Sequence, residues 1–429
     1  MLLQCVLVLL ITVLVVGHRV KRRKMWKLHG KLKSEYRYIP VIGHAHIFLG
    51  SNEDRMNSFK DLARQAYSSK YGMVSVWLGD TLYIAMSEPE ASQIVLKSNL
   101  DKGPLAKLAH HLLGNGSAYA PVTLWRRRRK ILTQANSAKH VNNFVDVFES
   151  NSKVLTEQLE QVVGKGDFSF WNYLCAHALD AACETIFGER LDVQKHSCHP
   201  FSRAFVEHLD NLAVRLCQFW LHNDTIYQLM PIYSTQNDTR NVIHEFVNNL
   251  IRKRRNIMRA NQDEKLFGDS DSITMEDIPK LVYLEAVIKE SMRLYPPAPI
   301  ITRTCDNDMK LPSGVELCKG SQVLVNIWGL HHNPHCWGPD VEEFKPERFF
   351  NATPMQLAAF IPFSYASRNC VGSRYGMIFL KTTLAHIIRK YRINPASSFT
   401  YDEKNPLRVK YGIMMKHVDN FQAQLECRS

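Results

Sequence analysis

Paired cysteines are missing from this chain. Its ten cysteines stand at 5, 175, 183, 198, 217, 305, 318, 336, 370 and 427, with no Cys-x-x-Cys pair and no tight framework. That scatter excludes a small disulfide-stapled scaffold and fits a reducing compartment. His331-His332-Asn333-Pro334-His335-Cys336 and His196-Ser197-Cys198-His199 are dense in ligand types, yet neither has the partner spacing of a structural zinc site. A Gly-x-Ser-x-Gly elbow, a Walker loop and a dinucleotide fingerprint are absent too. Serine-nucleophile hydrolysis and direct use of a nucleotide cofactor therefore lack their usual signatures, and any electrons the chain uses come from a separate protein. Internal repeats and low-complexity tracts are also lacking, which sets aside solenoids and fibres.

Acidic residues are missing from the first 34 positions. Met1 to Gly17 is almost wholly apolar, and His18-Arg19-Val20-Lys21-Arg22-Arg23-Lys24 follows. The run approaches the roughly 17 to 25 residues that span a bilayer, and a basic flank stays cytosolic. We read 1–17 as a transmembrane signal-anchor, 18–30 as a basic hinge and 31–429 as the body. A cleaved signal peptide is the alternative. With an anchor the body faces the cytosol, and the sequons at Asn115, Asn223, Asn237 and Asn351 stay unglycosylated.

With 429 residues and 45% hydrophobic content, the chain supports one oversized domain or two ordinary ones. The net charge of +13 is partly dense local runs. Arg252-Lys253-Arg254-Arg255 reads as the solvated face of a helix whose apolar face carries Ile243, Phe246, Val247, Leu250, Ile257 and Met258. Trp125-Arg126-Arg127-Arg128-Arg129-Lys130 suits an anionic lipid, an acidic protein or a buried anion. No zinc-finger, RNA-binding or basic-zipper pattern accompanies the charge, so nucleic acid is not expected as a partner.

One cysteine stands apart from the rest. Phe363-Ser364-Tyr365-Ala366-Ser367-Arg368-Asn369-Cys370-Val371-Gly372 sets it in a short polar loop, between Phe360-Ile361-Pro362 and a helical pattern. An axial thiolate on haem iron needs a cysteine, backbone N–H groups near its sulfur, an apolar ring to exclude water and a cation for the propionates. Cys370, the turn residues, Phe363 and Arg368 offer these. The loop resembles the cytochrome P450 signature Phe-x-x-Gly-x-Arg-x-Cys-x-Gly, with Ala366 in place of the first glycine. Alanine where backbone must take φ > 0 costs roughly 1 kcal/mol or more, so a strained or reshaped loop is expected.

Further motifs carry the same resemblance. Trp125 and Arg129, one turn apart, match the family's Trp-x-x-x-Arg, whose arginine contacts a haem propionate. Thr274-Met275-Glu276-Asp277 reads as a capping box that opens a helix stopped by Pro296-Pro297. On that helix Glu290 and Arg293 match Glu-x-x-Arg, and Arg348 in Phe344-Lys345-Pro346-Glu347-Arg348-Phe349 matches the segment that joins the pair in a buried network. Arg303 stands where relatives place another propionate-binding arginine. Wording such as Phe267-Gly268-Asp269-Ser270 and Met275-Glu276-Asp277-Ile278-Pro279-Lys280-Leu281 resembles the animal microsomal clan that includes fatty-acid ω-hydroxylases and insect detoxification enzymes.

One family element has no counterpart. The Ala/Gly-Gly-x-Asp/Glu-Thr-Thr motif of the distal helix, which holds the proton-delivering water chain, belongs between Arg255 and Glu290. Here Asn256 to Gly268 leads straight into the wording before Glu-x-x-Arg, as if an internal block were lost near 259–264. Ala181-Ala182-Cys183-Glu184-Thr185 imitates the motif but lies about a hundred residues too early and reads as an ordinary core helix. No catalytic distal residue is identifiable.

The resemblance implies a mainly α fold with small β-sheets near Val74 to Ala85 and Ile301 to Val325: the cytochrome P450 fold, internally truncated, with an N-terminal membrane anchor. It implies haem b ligated by Cys370, electrons from NADPH through NADPH-cytochrome P450 reductase with cytochrome b5 as a further donor, and an endoplasmic reticulum membrane location. The implied reaction inserts one oxygen atom from dioxygen into an apolar substrate such as a fatty acid, hormone or xenobiotic. The alternatives are a catalytically inactive haem protein of this fold, an incomplete product of a spliced or mispredicted gene and, more distantly, a membrane-tethered basic binding protein without haem.

Overall fold

The computed structural model describes residues 19–195, 199–259, 274–399 and 407–428, with isolated positions between 6 and 17 and with side chains only to 256 in the helix ending at Arg259. Apart from those isolated positions, the apolar stretch read as an anchor falls outside them, as does the junction at 260–264. Among the described residues no helix is long and apolar enough to cross a membrane. The basic hinge is helical from Arg23 to Lys31. It packs Leu28 into the core, and His29 Nδ1 lies 2.8 Å from Ser75 Oγ.

One half of the body is built on a four-stranded sheet in the order Met73–Leu78, Thr81–Met86, Gln322–Asn326, Ile300–Thr304. The first two strands form a hairpin closed by Gly79-Asp80, where Gly79 takes φ +58° as the first position of a two-residue turn. Thr81–Met86 pairs in parallel with Gln322–Asn326, which pairs antiparallel with Ile300–Thr304. Side chains alternate across the strands, and both faces are covered. Met73, Trp77, Leu82, Ile84, Met86, Val323 and Val325 share one core. Val74, Val76, Leu78, Tyr83, Ala85 and Leu324 share the other, with the Asn52–Ser68 helix. That helix opens on a Ser51–Asp54 capping box and buries Met56, Phe59, Leu62, Ala63 and Ala66.

The other half is helical. Helices Val145–Leu159, Phe170–Phe187 and Ser373–Lys390 pack around Val145, Phe148, Ala181, Ile378 and Ala385. The segment that imitates a distal motif lies inside the second of these. Cys183 is buried there and Glu184 accepts from Asn151 Nδ2 at 2.8 Å, the surroundings of a core helix. The basic run near Arg252 sits on the helix Pro231–Arg259, with Ile243 and Leu250 buried and Arg252, Lys253 and Arg255 outward.

The capping box expected to open the Glu290 helix does something else. Thr274 N and Oγ1 both donate to Asp277 Oδ2, at 3.0 and 2.8 Å, but they close a turn. A 3₁₀ turn follows at Ile278–Lys280, Leu281 leaves helical geometry at ψ 57°, and the helix runs Val282–Leu294. Pro279, without an N–H, cannot donate to the Thr274 turn and so does not carry it forward as an α-helix.

Candidate functional site

The Cys370 loop sits between the two halves. It enters at Ile361, whose N–H donates to His331 Nε2 at 3.1 Å, and leaves into the Ser373–Lys390 helix. His331 is fully buried. Its Nδ1 lies 3.2 Å from the Met292 carbonyl, so Nδ1 donates and Nε2 accepts, which requires the neutral ring. Burial, then the nearby Arg293 charge, holds its pKa down to about 3. Within the loop Cys370 N–H donates to Phe363 O at 2.8 Å, and the Cys370 side is solvent-accessible. Ser364 and Ala366 both take left-handed backbone, φ +65° and +59°, and neither is glycine.

Behind the loop lies the carboxylate network. Arg293 donates to both oxygens of Glu290, Nε to Oε2 and Nη2 to Oε1, each at 2.8 Å. Its Nη1 reaches the carbonyls of His331 and Val341 at 2.9 and 2.7 Å. Arg348 Nε and Lys345 N–H also donate to Glu290 Oε1, at 3.0 and 2.9 Å. Glu290 and Arg293 are fully buried. One carboxylate thus ties the helix, the Pro346–Phe349 turn and, through His331, the start of the cysteine loop.

In front of the loop is a cavity of about 420 Å³, within the usual range of ligand sites. Cys370, Phe363, Arg368, Trp125, Arg129 and Arg303 all line it. The Val122–Ala135 helix presents Trp125 and Arg129 together. Arg129 donates to the carbonyl and side-chain oxygen of Asn369, at 2.6 and 2.5 Å. Arg368 lies with its guanidinium carbon 4.3 Å from the Trp125 ring centre and donates to the carbonyls of Leu100 and Ala120, at 3.1 and 3.0 Å. Arg303, on the edge strand Ile300–Thr304, is 1% exposed. It donates to its neighbour's carbonyl, Thr302 O, at 2.7 Å, and its Nε is buried without a partner.

Sequence reasoning missed a further cation, Lys102. It lines this cavity and an adjoining apolar one bounded by Phe48, Tyr83, Leu105, Tyr119 and Tyr411. Its ammonium lies 5.0 Å from the Tyr119 ring centre. Burial, then the charges of Arg303 and Arg368, pull its pKa down to about 8. Arg303 is lowered to about 10 by burial and by Arg368. Three crowded cations facing an apolar cavity lower one another's stability unless an anion joins them. A haem with two propionates fits that requirement, since it is flat, apolar and doubly negative.

Thiol, cations and aromatic ring on one cavity of a mainly helical body are the features of the haem-thiolate class. The particular family follows from wider similarity. The chain belongs to the cytochrome P450 family, whose pattern matches residues 36–265 and 256–417. Cytochrome P450 4V2 of Homo sapiens is 25% identical over 456 positions, covering 86% of this chain and 86% of the relative. Cytochrome P450 4c21 of Blattella germanica is 25% identical over 511 positions, covering 99% and 98%. Cytochrome P450 4d8 of Drosophila melanogaster is 25% identical over 418 positions, covering 77% and 90%. The chain is therefore a haem monooxygenase by family, and these relatives are cytochromes P450 of family 4. Since 511 positions exceed the 429 residues of this chain, at least 82 residues of the cockroach relative have no counterpart here.

Proposed function

We propose that Cys370 is the axial thiolate of a bound haem, that Arg303, Arg368, Lys102 and the Trp125–Arg129 pair hold its propionate side, and that Phe363 keeps water from the sulfur. The observation that carries this reading is that Cys370, Lys102, Arg129, Arg303 and Arg368 line one cavity, with Arg303 Nε buried and without a partner. Haem bound there supplies reductive activation of dioxygen, with one oxygen atom inserted into an apolar substrate and the other leaving as water. The chain's own residues do the rest. The Glu290 network fixes the loop that carries the thiol, and the adjoining apolar cavity receives the substrate.

The family pattern matches in two stretches that overlap at 256–265, and the sequence there carries no distal motif. That overlap and that absence support an internal deletion near 259–264. Proton delivery from a positioned distal acid or base is worth roughly 10² to 10⁴ in rate, so this chain turns over slowly as it stands. Arg126, Arg127 and Lys130 face outward on the Trp125 helix, beside the cysteine loop. Their charge suits an acidic electron donor, NADPH-cytochrome P450 reductase or cytochrome b5. With residues 1–17 as anchor, the body stands on the endoplasmic reticulum membrane. The test is coupling: the haem-loaded chain with reductase is expected to consume NADPH with little hydroxylated fatty acid formed, and a version with the relative's block inserted to form product. Coupled hydroxylation by the unmodified chain would overturn the deletion reading.

A further inference from the structure

We propose that Asn115 is a self-modifying site, whose side-chain amide is converted to a carboxylate by attack of the Gly116 backbone nitrogen, with Arg128 as the promoting group. The reaction uses no haem and stands apart from the reading of Cys370.

Asn115-Gly116 is the one Asn-Gly pair in the sequence. It lies in the loop between the His110–Leu113 and Val122–Ala135 helices, with Gly114 at φ +50° before it and the Asn115 side exposed to solvent. Without a Cβ, Gly116 leaves its nitrogen open to the neighbouring side chain, and the two glycines let the loop turn enough to bring nitrogen and carbonyl together. The bond from Gly116 N to Asn115 Cγ forms, the Cγ–Nδ2 bond breaks, and the amide leaves as ammonia with the proton that Gly116 N gives up. Water then opens the cyclic imide at either carbonyl, leaving aspartate or isoaspartate at 115. No oxidant and no metal is required.

Loss of the Gly116 N–H proton limits the attack, because a peptide N–H is a very weak acid. The amide that must lose it also contains the Asn115 carbonyl, and Arg128 Nη1 donates to that carbonyl. A guanidinium is charged at every relevant pH, and a positive charge beside the amide favours its deprotonated form. One contact opposes the step, since Gly116 N–H donates to Leu113 O at 2.8 Å. A single neutral hydrogen bond in an open loop weighs less than a charge-assisted one on the reacting amide. The product is held as well, because the new carboxylate stands beside Arg128 in the Arg126–Lys130 run. The position gives the conversion a consequence. The same loop brings Ser117 and Ala118 to the cavity in front of Cys370 and the Ala120 carbonyl to Arg368, and isoaspartate lengthens the backbone of that loop by one carbon.

The experiment incubates the full chain at neutral and mildly alkaline pH and follows the peptide containing residue 115 by mass spectrometry, beside a free peptide of the sequence Leu113 to Ser117. Asn115 is expected to convert at least as fast in the folded chain as in the free peptide, and faster as pH rises. Arg128→Gln should slow the folded chain about tenfold, the effect of the roughly one-unit pKa change that a neighbouring charge produces at a partly exposed site. Arg128→Lys, which keeps the charge, should lose less. In urea that unfolds both proteins, Arg128→Gln and the unmodified chain should convert at the same rate. An Asn115 that stays intact in the folded chain while the free peptide converts overturns the proposal without appeal to any variant. Equal rates for the folded unmodified chain and Arg128→Gln, or a difference that persists in urea, overturn the part given to Arg128.

Discussion

Glu290 and Arg293, one turn apart on the same helix, meet through two parallel hydrogen bonds of 2.8 Å with neither side chain exposed to solvent. Removing one partner of such a pair leaves an uncompensated buried charge, at a cost of about 3 to 5 kcal/mol, against less than about 1 for a surface pair. Glu290→Ala is therefore expected to abolish soluble haem-loaded protein. Glu290→Gln keeps the shape and part of the hydrogen bonding and should fall between the two. Expression and haem content measure both, and normal loading in Glu290→Ala would contradict the network's role.

The alanine in the cysteine loop offers a gain. Ala366 holds φ +59°, a left-handed conformation that glycine adopts without the Cβ penalty. Ala366→Gly is expected to stabilise the folded chain by roughly 1 kcal/mol, less the extra freedom glycine gives the unfolded chain. Denaturant midpoints test the sign. Turnover should not recover, because the change does nothing for distal proton delivery.

Acid should unfold this protein in a definite window. Burial holds His331 down to about 3 and His29, His44, His177 and His208 down to about 4, all below the ordinary 6.5. The unfolded chain binds these protons first, so the stability of the neutral folded form is complete above about 6.5 and is lost as pH falls from there towards 4. Each such histidine contributes up to about 1.4 kcal/mol per pH unit across that window. Urea midpoints should fall steeply from pH 6.5 to 4, and less steeply in His331→Gln. A flat profile would mean these rings are already accessible to protons.

The parts of the site that lie close together in the chain were the readable ones. Thiol, cation and ring stand within Phe363 to Cys370, and Trp125 with Arg129 needs only one turn of helix to share a face. The strands near Val74 and Val325 announce themselves by apolar runs. Lys102 carries no such signal. It is a single lysine in a loop, and its partner Arg303 comes from a strand about two hundred residues later, so only the folded chain brings the charges together. His331 stands in a run without zinc-site spacing, and its hydrogen bonds to Met292 and Ile361 depend on tertiary placement. Thr274 shows the opposite failure, where a correct local signature closes a turn because Pro279 stops the helix from starting there.

Ligation by Cys370 is tested most directly by the spectrum of the reduced carbon-monoxide complex. The unmodified chain is expected to show the red-shifted Soret band of thiolate ligation, and Cys370→Ser to lose it while the fold persists. An unchanged band in Cys370→Ser, or no red-shifted band in a haem-loaded unmodified chain, would contradict the assignment of the thiolate.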